Sequence, residues 1–159
     1  MAVALHNIMV ATDFSEASQP ATTYALGLAR ALGAALYLIH VVPEEDMRLL
    51  TGISQHLQSA LSATTLTDVL YAEAEKHMTQ LIQEAHASDI VRESLVVTGP
   101  PAETILSWAT AKQVHLIVLG THGRSGLSHF LMGSVAEQVL RQAPGAVLVV
   151  PPKQQGIAS

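Results

Sequence analysis

Val118-Leu-Gly-Thr-His-Gly-Arg-Ser-Gly-Leu-Ser-His-Phe-Leu-Met-Gly-Ser-Val135 is the stretch on which the reading of this chain turns. Its first residues complete an apolar run, His115-Leu-Ile-Val-Leu-Gly120, with the length and β-branched content of a buried strand. Its last residues, Gly133 and Ser134, open a helical pattern in which Val135, Ala136, Val139 and Leu140 share a face. The polar loop between holds Gly120, Gly123 and Gly126. Glycine lets backbone N–H groups approach an anion without a Cβ in the way, and the helix start adds partial positive charge. The spacing Gly120-x2-Gly123-x9-Gly133-Ser134 therefore suits phosphate. The bland alternative is a loop whose glycines serve only turns and close packing. Neither G-x-x-x-x-G-K-[ST] nor a G-x-G-x-x-G after the first strand is present.

Working outward, the same strand–loop–helix grammar repeats. Ile8-Met-Val-Ala-Thr12 reads as the first strand. The helix after Asp13-Phe-Ser-Glu carries Ala21, Tyr24, Ala25, Leu28 and Leu32, with Ser15 as its N-cap and Gly33 as its stop. Ala34 to Val42 is a second strand, ended by Pro43. Its unbroken apolarity implies burial on both faces, as in a parallel sheet. A helical pattern over residues 68–87, a strand over Val91–Thr98 and a helix entered through Gly99-Pro-Pro follow, the last with Pro101 or Pro100 near its first turn. Ile105, Leu106, Trp108 and Ala109 mark that helix's inner side. Downstream of the central stretch, Ala143-Pro-Gly145 breaks a helix, and Ala146-Val-Leu-Val-Val150 is a final strand stopped by Pro151-Pro152. Residues 44–67 read poorly: Met47, Leu49, Leu50, Ile53 and Leu57 can make a short helix, and Ser59 to Thr67 reads as a loop. Alternating strands and helices predict an α/β fold with a doubly wound parallel sheet covered by helices on both faces. Such sheets bind ligands beyond the carboxyl ends of the strands, where the winding reverses. Thr12-Asp13 and Gly120 to Ser134 compete for that place, and a flavodoxin-like ordering makes them neighbours.

The bulk numbers narrow the function. At 159 residues the chain fits one domain, expected over residues 1–152, with a connecting segment at 44–67 and a disordered tail at 153–159. Cysteine is absent, which excludes disulfides, thiolate zinc sites and cysteine nucleophiles and fits a reducing cytoplasm. Lys+Arg 8 against Asp+Glu 13 argues against a nucleic-acid partner, which requires a basic patch. No basic, apolar leader opens the sequence, and no apolar run reaches the ~18 residues of a membrane span. Only 13% of residues are charged and 49% are apolar, so self-association is expected.

Several side chains carry candidate chemistry, each beside a plainer role. Asp13 at the end of the first strand can accept from a ribose hydroxyl or an adenine amine, bind a metal, or simply cap the next helix. Ser134 can cap its helix or meet a phosphate oxygen. Arg124 can neutralise phosphate or stand in solvent. Of the eight histidines, His122 and His129 lie in the loop and His40 at a strand end, but no pair has H-E-x-x-H spacing, so no dedicated metal site is expected. There is no G-x-S-x-G elbow and no recognisable triad. Glu16 or His122 as a base is not demanded by any spacing, so no catalytic residue is assigned.

The chain resembles the universal stress protein family. The likeness runs from Ile8-Met-Val-Ala-Thr-Asp-Phe-Ser15 through His40-Val-Val to Val118-Leu-Gly-Thr-His-Gly-Arg-Ser-Gly, then Gly133-Ser-Val-Ala-Glu-Gln-Val-Leu and Ala146-Val-Leu-Val-Val-Pro151. The glycine pattern is similar to the one that marks the family's ATP-binding branch. The resemblance implies a five-stranded parallel sheet of order 3-2-1-4-5, of flavodoxin or Rossmann type. It implies ATP as ligand, with Mg²⁺ or Mn²⁺ carried by the phosphates. Position by position, Ala11, Thr12 and Asp13 would line the adenosine, with Asp13 on the ribose. Val41 would contact adenine, and Leu119 and Gly120 would continue that wall. Gly123, Arg124, Gly133, Ser134 and Val135 would surround the phosphates, and His122 lies in the same loop. The resemblance also implies homodimerisation through Ala146–Val150, and a cytoplasmic stress-response module signalling to an unknown protein partner. A slow ATPase or autokinase, with Thr121, Ser125 or Ser128 as acceptor, and a dimerisation module without nucleotide are the alternatives. Nothing is carried over to residues 44–67.

Overall fold

The structure, a computed structural model, describes residues 4–46, 48, 49, 63–122 and 132–153. Five strands, β1 (Asn7–Ala11), β2 (Ala35–Pro43), β3 (Val91–Gly99), β4 (Leu116–Gly120) and β5 (Ala146–Val150), form one sheet in the order β3-β2-β1-β4-β5. Every neighbouring pair is parallel. The expected α/β class, strand order and helical cover are all present. Among the described residues, α1 (Gln19–Leu32), α2 (Ala63–Glu84), α3 (Pro101–Ala111) and α4 (Ser134–Gln142) connect the strands, and residues 44–46, 48 and 49, where a short helix is expected, are helical too. A 3-10 turn over Glu16–Ser18 leads into α1.

The unbroken apolar runs of the strands divide between two cores. Ile8, Val10, Leu36, Leu38, Leu116 and Val118 point to one face, where Ala21, Ala25, Leu26 and Ala29 of α1 and Met78 of α2 cover them. Met9, Tyr37, Ile39, Ile117 and Leu119 point to the other, under Ala102, Ile105 and Ala109 of α3 and Ala136 and Val139 of α4. The period-two alternation of strand side chains makes this partition, and both faces need apolar residues because both are covered. The alanines on the inner helix faces let the helices lie close to the sheet. Tyr24, Leu32 and Leu140, grouped by spacing with the inner faces, instead lie off the buried stripes and stand 59%, 51% and 49% exposed.

Local signals place the ends of the elements. Ser15 caps the 3-10 turn, its Oγ accepting from the Ser18 amide at 3.3 Å. Gly33 ends α1 in the left-handed conformation at φ 63°, where a Cβ is costly. Pro101 opens α3 at its first position, where a missing N–H costs no helical bond. The helix predicted to start near residue 68 begins five residues earlier, at Ala63, so residues 63–67 are helical rather than loop. Ser and Thr lower helix propensity by only a few tenths of a kcal/mol each, and packing of the residues downstream outweighs that. The remainder of the expected loop, the apolar positions Met47, Leu50, Ile53 and Leu57, and the tail from residue 154 lie outside the described residues.

Candidate functional site

The chain leaves β1 toward β2 and β4 toward β5, so the winding reverses between the adjacent strands β1 and β4. Beyond their carboxyl ends lies a cleft of about 640 Å³, within the usual range for small-molecule sites. Ala11, Thr12, Asp13, Val41, Leu119, Gly120, His122, Gly133, Ser134 and Val135 all line it. These residues come from three strands, two loops and a helix, and the topology brings them together. Gly123 and Arg124, and with them Gly126, Ser125, Ser128 and His129, lie outside the described residues.

The β1 side is a tight turn. The Thr12 amide donates to the Ile39 carbonyl at 3.0 Å, prolonging the β1–β2 ladder by one residue. Thr12 is buried; its Oγ1 accepts from the Phe14 amide at 3.0 Å and lies 3.2 Å from Ser18 Oγ. Asp13 Oδ1 accepts from the Ser15 amide at 3.0 Å and from Ser15 Oγ at 2.5 Å. The carboxylate therefore braces the turn through Ser15 rather than capping a helix, and Asp13 lines the cleft. Phe14, between them, adopts φ 61°. His40 reaches the same turn from β2. Its Nδ1 lies 2.8 Å from the Thr12 carbonyl oxygen. A carbonyl only accepts, so Nδ1 carries the proton in this contact.

The β4 side is built on two positions where a side chain would crowd backbone carbonyls. A Cβ on Gly120 would lie 3.3 Å from the His122 carbonyl oxygen and 3.5 Å from that of Ala17. A Cβ on Gly133 would lie 3.1 Å from the Thr121 carbonyl oxygen, which already accepts from the Gly133 amide at 2.6 Å. Thr121 thus closes the two stems of the glycine loop onto each other. Its own amide donates to the Val150 carbonyl at 3.1 Å, tying the loop to the end of β5, and its Oγ1 lies 2.8 Å from His122 Nδ1. Ser134 is the first residue of α4 and not its cap. The N-cap is Gly133, with no side-chain cap bond. The helix start therefore faces the cleft without a capping side chain, as an anion site requires.

Sequence reasoning missed part of the wall. His40, Pro43, Gly99, Pro100, Pro101 and Ile105 also line the cleft. A Cβ on Gly99 would meet Thr104 Oγ1 at 2.7 Å, so a side chain there has to displace the Thr104 hydroxyl. The signal was available in the topology, because every residue just past a strand's carboxyl end is a candidate in a doubly wound sheet. Glu44, Glu45, Asp46 and Arg48 line the mouth, Arg48 Nη2 lying 3.6 Å from Glu44 Oε2. Glu16, the base considered from sequence, is not among the lining residues. Among the described residues no group of three or more His, Asp or Glu side chains is placed to hold a metal ion, and no helix is long and apolar enough to cross a membrane.

Comparison with known proteins agrees with this architecture. A family model described as the universal stress protein family matches residues 4–151. The universal stress protein MJ0531 of Methanocaldococcus jannaschii is 32% identical over 143 residues, spanning 90% of this chain and 80% of that protein. The solved structure of MJ0577, from the same organism, superposes with a TM-score of 0.80 at 27% identity, covering 96% of this chain and all of that one (100%). A universal stress protein solved in complex with cAMP shares the fold at a TM-score of 0.67 and 23% identity, covering 95% of this chain and 100% of that one.

Proposed function

The chain belongs to the universal stress protein family, and on that premise we propose that it is a stress-response module whose cleft binds an adenine nucleotide, ATP foremost, and whose occupancy is read by a protein partner. One observation carries the reading: ten residues scattered from position 11 to position 135 converge on one cleft at the switch point of the sheet. Two of them, Gly120 and Gly133, stand where a Cβ would crowd backbone carbonyls. Asp13 is suited to a ribose hydroxyl, and Val41, Ile39 and Leu119 to the flat faces of a base. The uncapped start of α4, with Gly133, Ser134 and Val135, is suited to phosphate. Arg124, in the loop, is assigned to the same phosphates.

The residues present fit such a ligand in volume and in donor chemistry. The mouth carries Glu44, Glu45 and Asp46 against Arg48, so a bare polyphosphate is repelled there and its Mg²⁺ or Mn²⁺ complex is favoured. The metal would arrive on the phosphates and supply charge neutralisation, needing few protein ligands. Self-association through β5 and a cytoplasmic setting complete the proposal.

The test is nucleotide release from freshly purified, acid-quenched protein, read by mass spectrometry, followed by calorimetry against ATP with and without Mg²⁺. ATP in the supernatant and Mg²⁺-dependent heat are expected. A preponderance of ADP would move the assignment to a slow ATPase, and the absence of both nucleotide and heat would leave a dimerisation module.

A further inference from the structure

The left-handed backbone at Phe14 stands out next to Asp13 at the cleft wall. A residue with a Cβ at φ 61° is uncommon, and when aromatic it is costly unless its surroundings compensate. Here the compensation is visible. The Phe14 ring packs against His40 with centroids 4.5 Å apart and against His77 of α2 at 5.5 Å. It also joins the core under α1 and α2. Its own amide donates to Thr12 Oγ1 at 3.0 Å. His40, in contact with the ring, is bonded to the Thr12 carbonyl at 2.8 Å. The residue before Phe14 is Asp13 and the residue after is Ser15, and these two are bonded across it.

We propose that Phe14 is a positioning residue for the cleft: its ring, packed against His40 and His77, holds residue 14 left-handed and so aims the Asp13 carboxylate into the cleft. An extended or right-handed residue 14 would carry Asp13 and Ser15 out of register, and the ring would lose both imidazoles. The strain is therefore held at the one peptide whose direction decides where the carboxylate points. Ring burial holds it there. This inference rests on the proposed role of Asp13 toward a ribose, and its test separates the two.

The variant of choice is Phe14→Gly, which retains the left-handed conformation as an option but removes the ring. Calorimetry compares ATP·Mg²⁺ with 2′,3′-dideoxy-ATP·Mg²⁺, which lacks the hydroxyls a carboxylate would accept from. Wild type is expected to prefer ATP by roughly tenfold or more, the scale of a hydrogen bond to a charged group. Phe14→Gly should lose that preference and Phe14→Tyr should keep it. In the double variant, Asp13→Asn should add nothing to Phe14→Gly, whereas two purely independent effects would add. Retention of the full preference by Phe14→Gly overturns the proposal and leaves the ring as core filling. A ligand-free measurement decides the same question if wild type binds neither nucleotide, a result that would sink the nucleotide assignment alone. Amide exchange at Ser15 should accelerate in Phe14→Gly while α1 stays protected, and unchanged exchange at Ser15 would refute the role given to Phe14.

Discussion

Two kinds of backbone demand recur at single residues. One is for space. Gly133 has an ordinary φ of −61°, yet a Cβ there would stand 3.1 Å from a carbonyl oxygen that cannot withdraw without breaking the bond from the Gly133 amide. Gly133→Ala should destabilise the fold by about 1–3 kcal/mol, as overpacking usually does, read from denaturant midpoints at unchanged slope. The other demand is for a positive φ. Gly33 meets it at the end of α1, but the equivalent stop after α3 is Gln113 at φ 51°. Its carbonyl is already engaged by Asn7 Nδ2 at 3.3 Å, and that bond survives loss of the side chain. Gln113→Gly should therefore stabilise the protein by about 0.5–1 kcal/mol, seen as a raised Tm. A result in the opposite direction would mean that the glutamine stem packs usefully. At this scale legibility was uneven. Gly120, Gly133 and Asp13 were legible as parts of the cleft wall because residue type and spacing single them out. Phe14 and His40 were not, because an aromatic beside an aspartate and a histidine in an apolar run look like ordinary core residues. Their importance lies in a backbone angle and in a contact across 28 positions of sequence.

Elements were read well where period and punctuation agreed. All five strands lie within a residue or two of their expected limits, since four are apolar runs bounded by Gly, Pro or a polar turn and β3 ends in one, Leu95-Val-Val97, before Gly99-Pro. The start of α2 was misplaced because a Ser/Thr-rich stretch resembles a loop until the packing of the helix beyond it is known. The end of α2 is held by a partner that no local pattern announces. Arg30 of α1 donates from Nη2 to the Ala85 carbonyl at 2.8 Å and to the His86 carbonyl at 3.0 Å. A guanidinium at a helix carboxyl end satisfies orphan carbonyls and complements the dipole. Because the contact is exposed, Arg30→Met should cost only about 0.5–1.5 kcal/mol. Its signature should be local, with faster amide exchange in the last turn of α2 and little change in α1. Uniform acceleration throughout the molecule would show that Arg30 serves global stability instead.

The whole molecule is a sheet with two unlike edges. The β5 edge, Ala146-Val-Leu-Val-Val150, has no charged side chain, and its middle residues are only partly covered. In the proposed homodimer that edge pairs with its copy. Val147→Lys should then shift sedimentation from dimer to monomer at micromolar concentration with the circular dichroism spectrum retained, and a monomeric wild type would remove the basis of the proposal. The opposite edge, β3, carries Arg92, Glu93 and Ser94 in succession, with Glu93 Oε2 held by Lys112 Nζ at 2.6 Å. Charges of this kind keep edges from recruiting further strands. The asymmetry has a consequence for assembly. A molecule with one adhesive rim can satisfy it once, through a two-fold axis, and then has nothing left to offer a third. Were both rims apolar, head-to-tail stacking would continue without limit and the same fold would polymerise into ribbons. In the proposed homodimer, three polar residues on the far margin would thus act as a chain terminator.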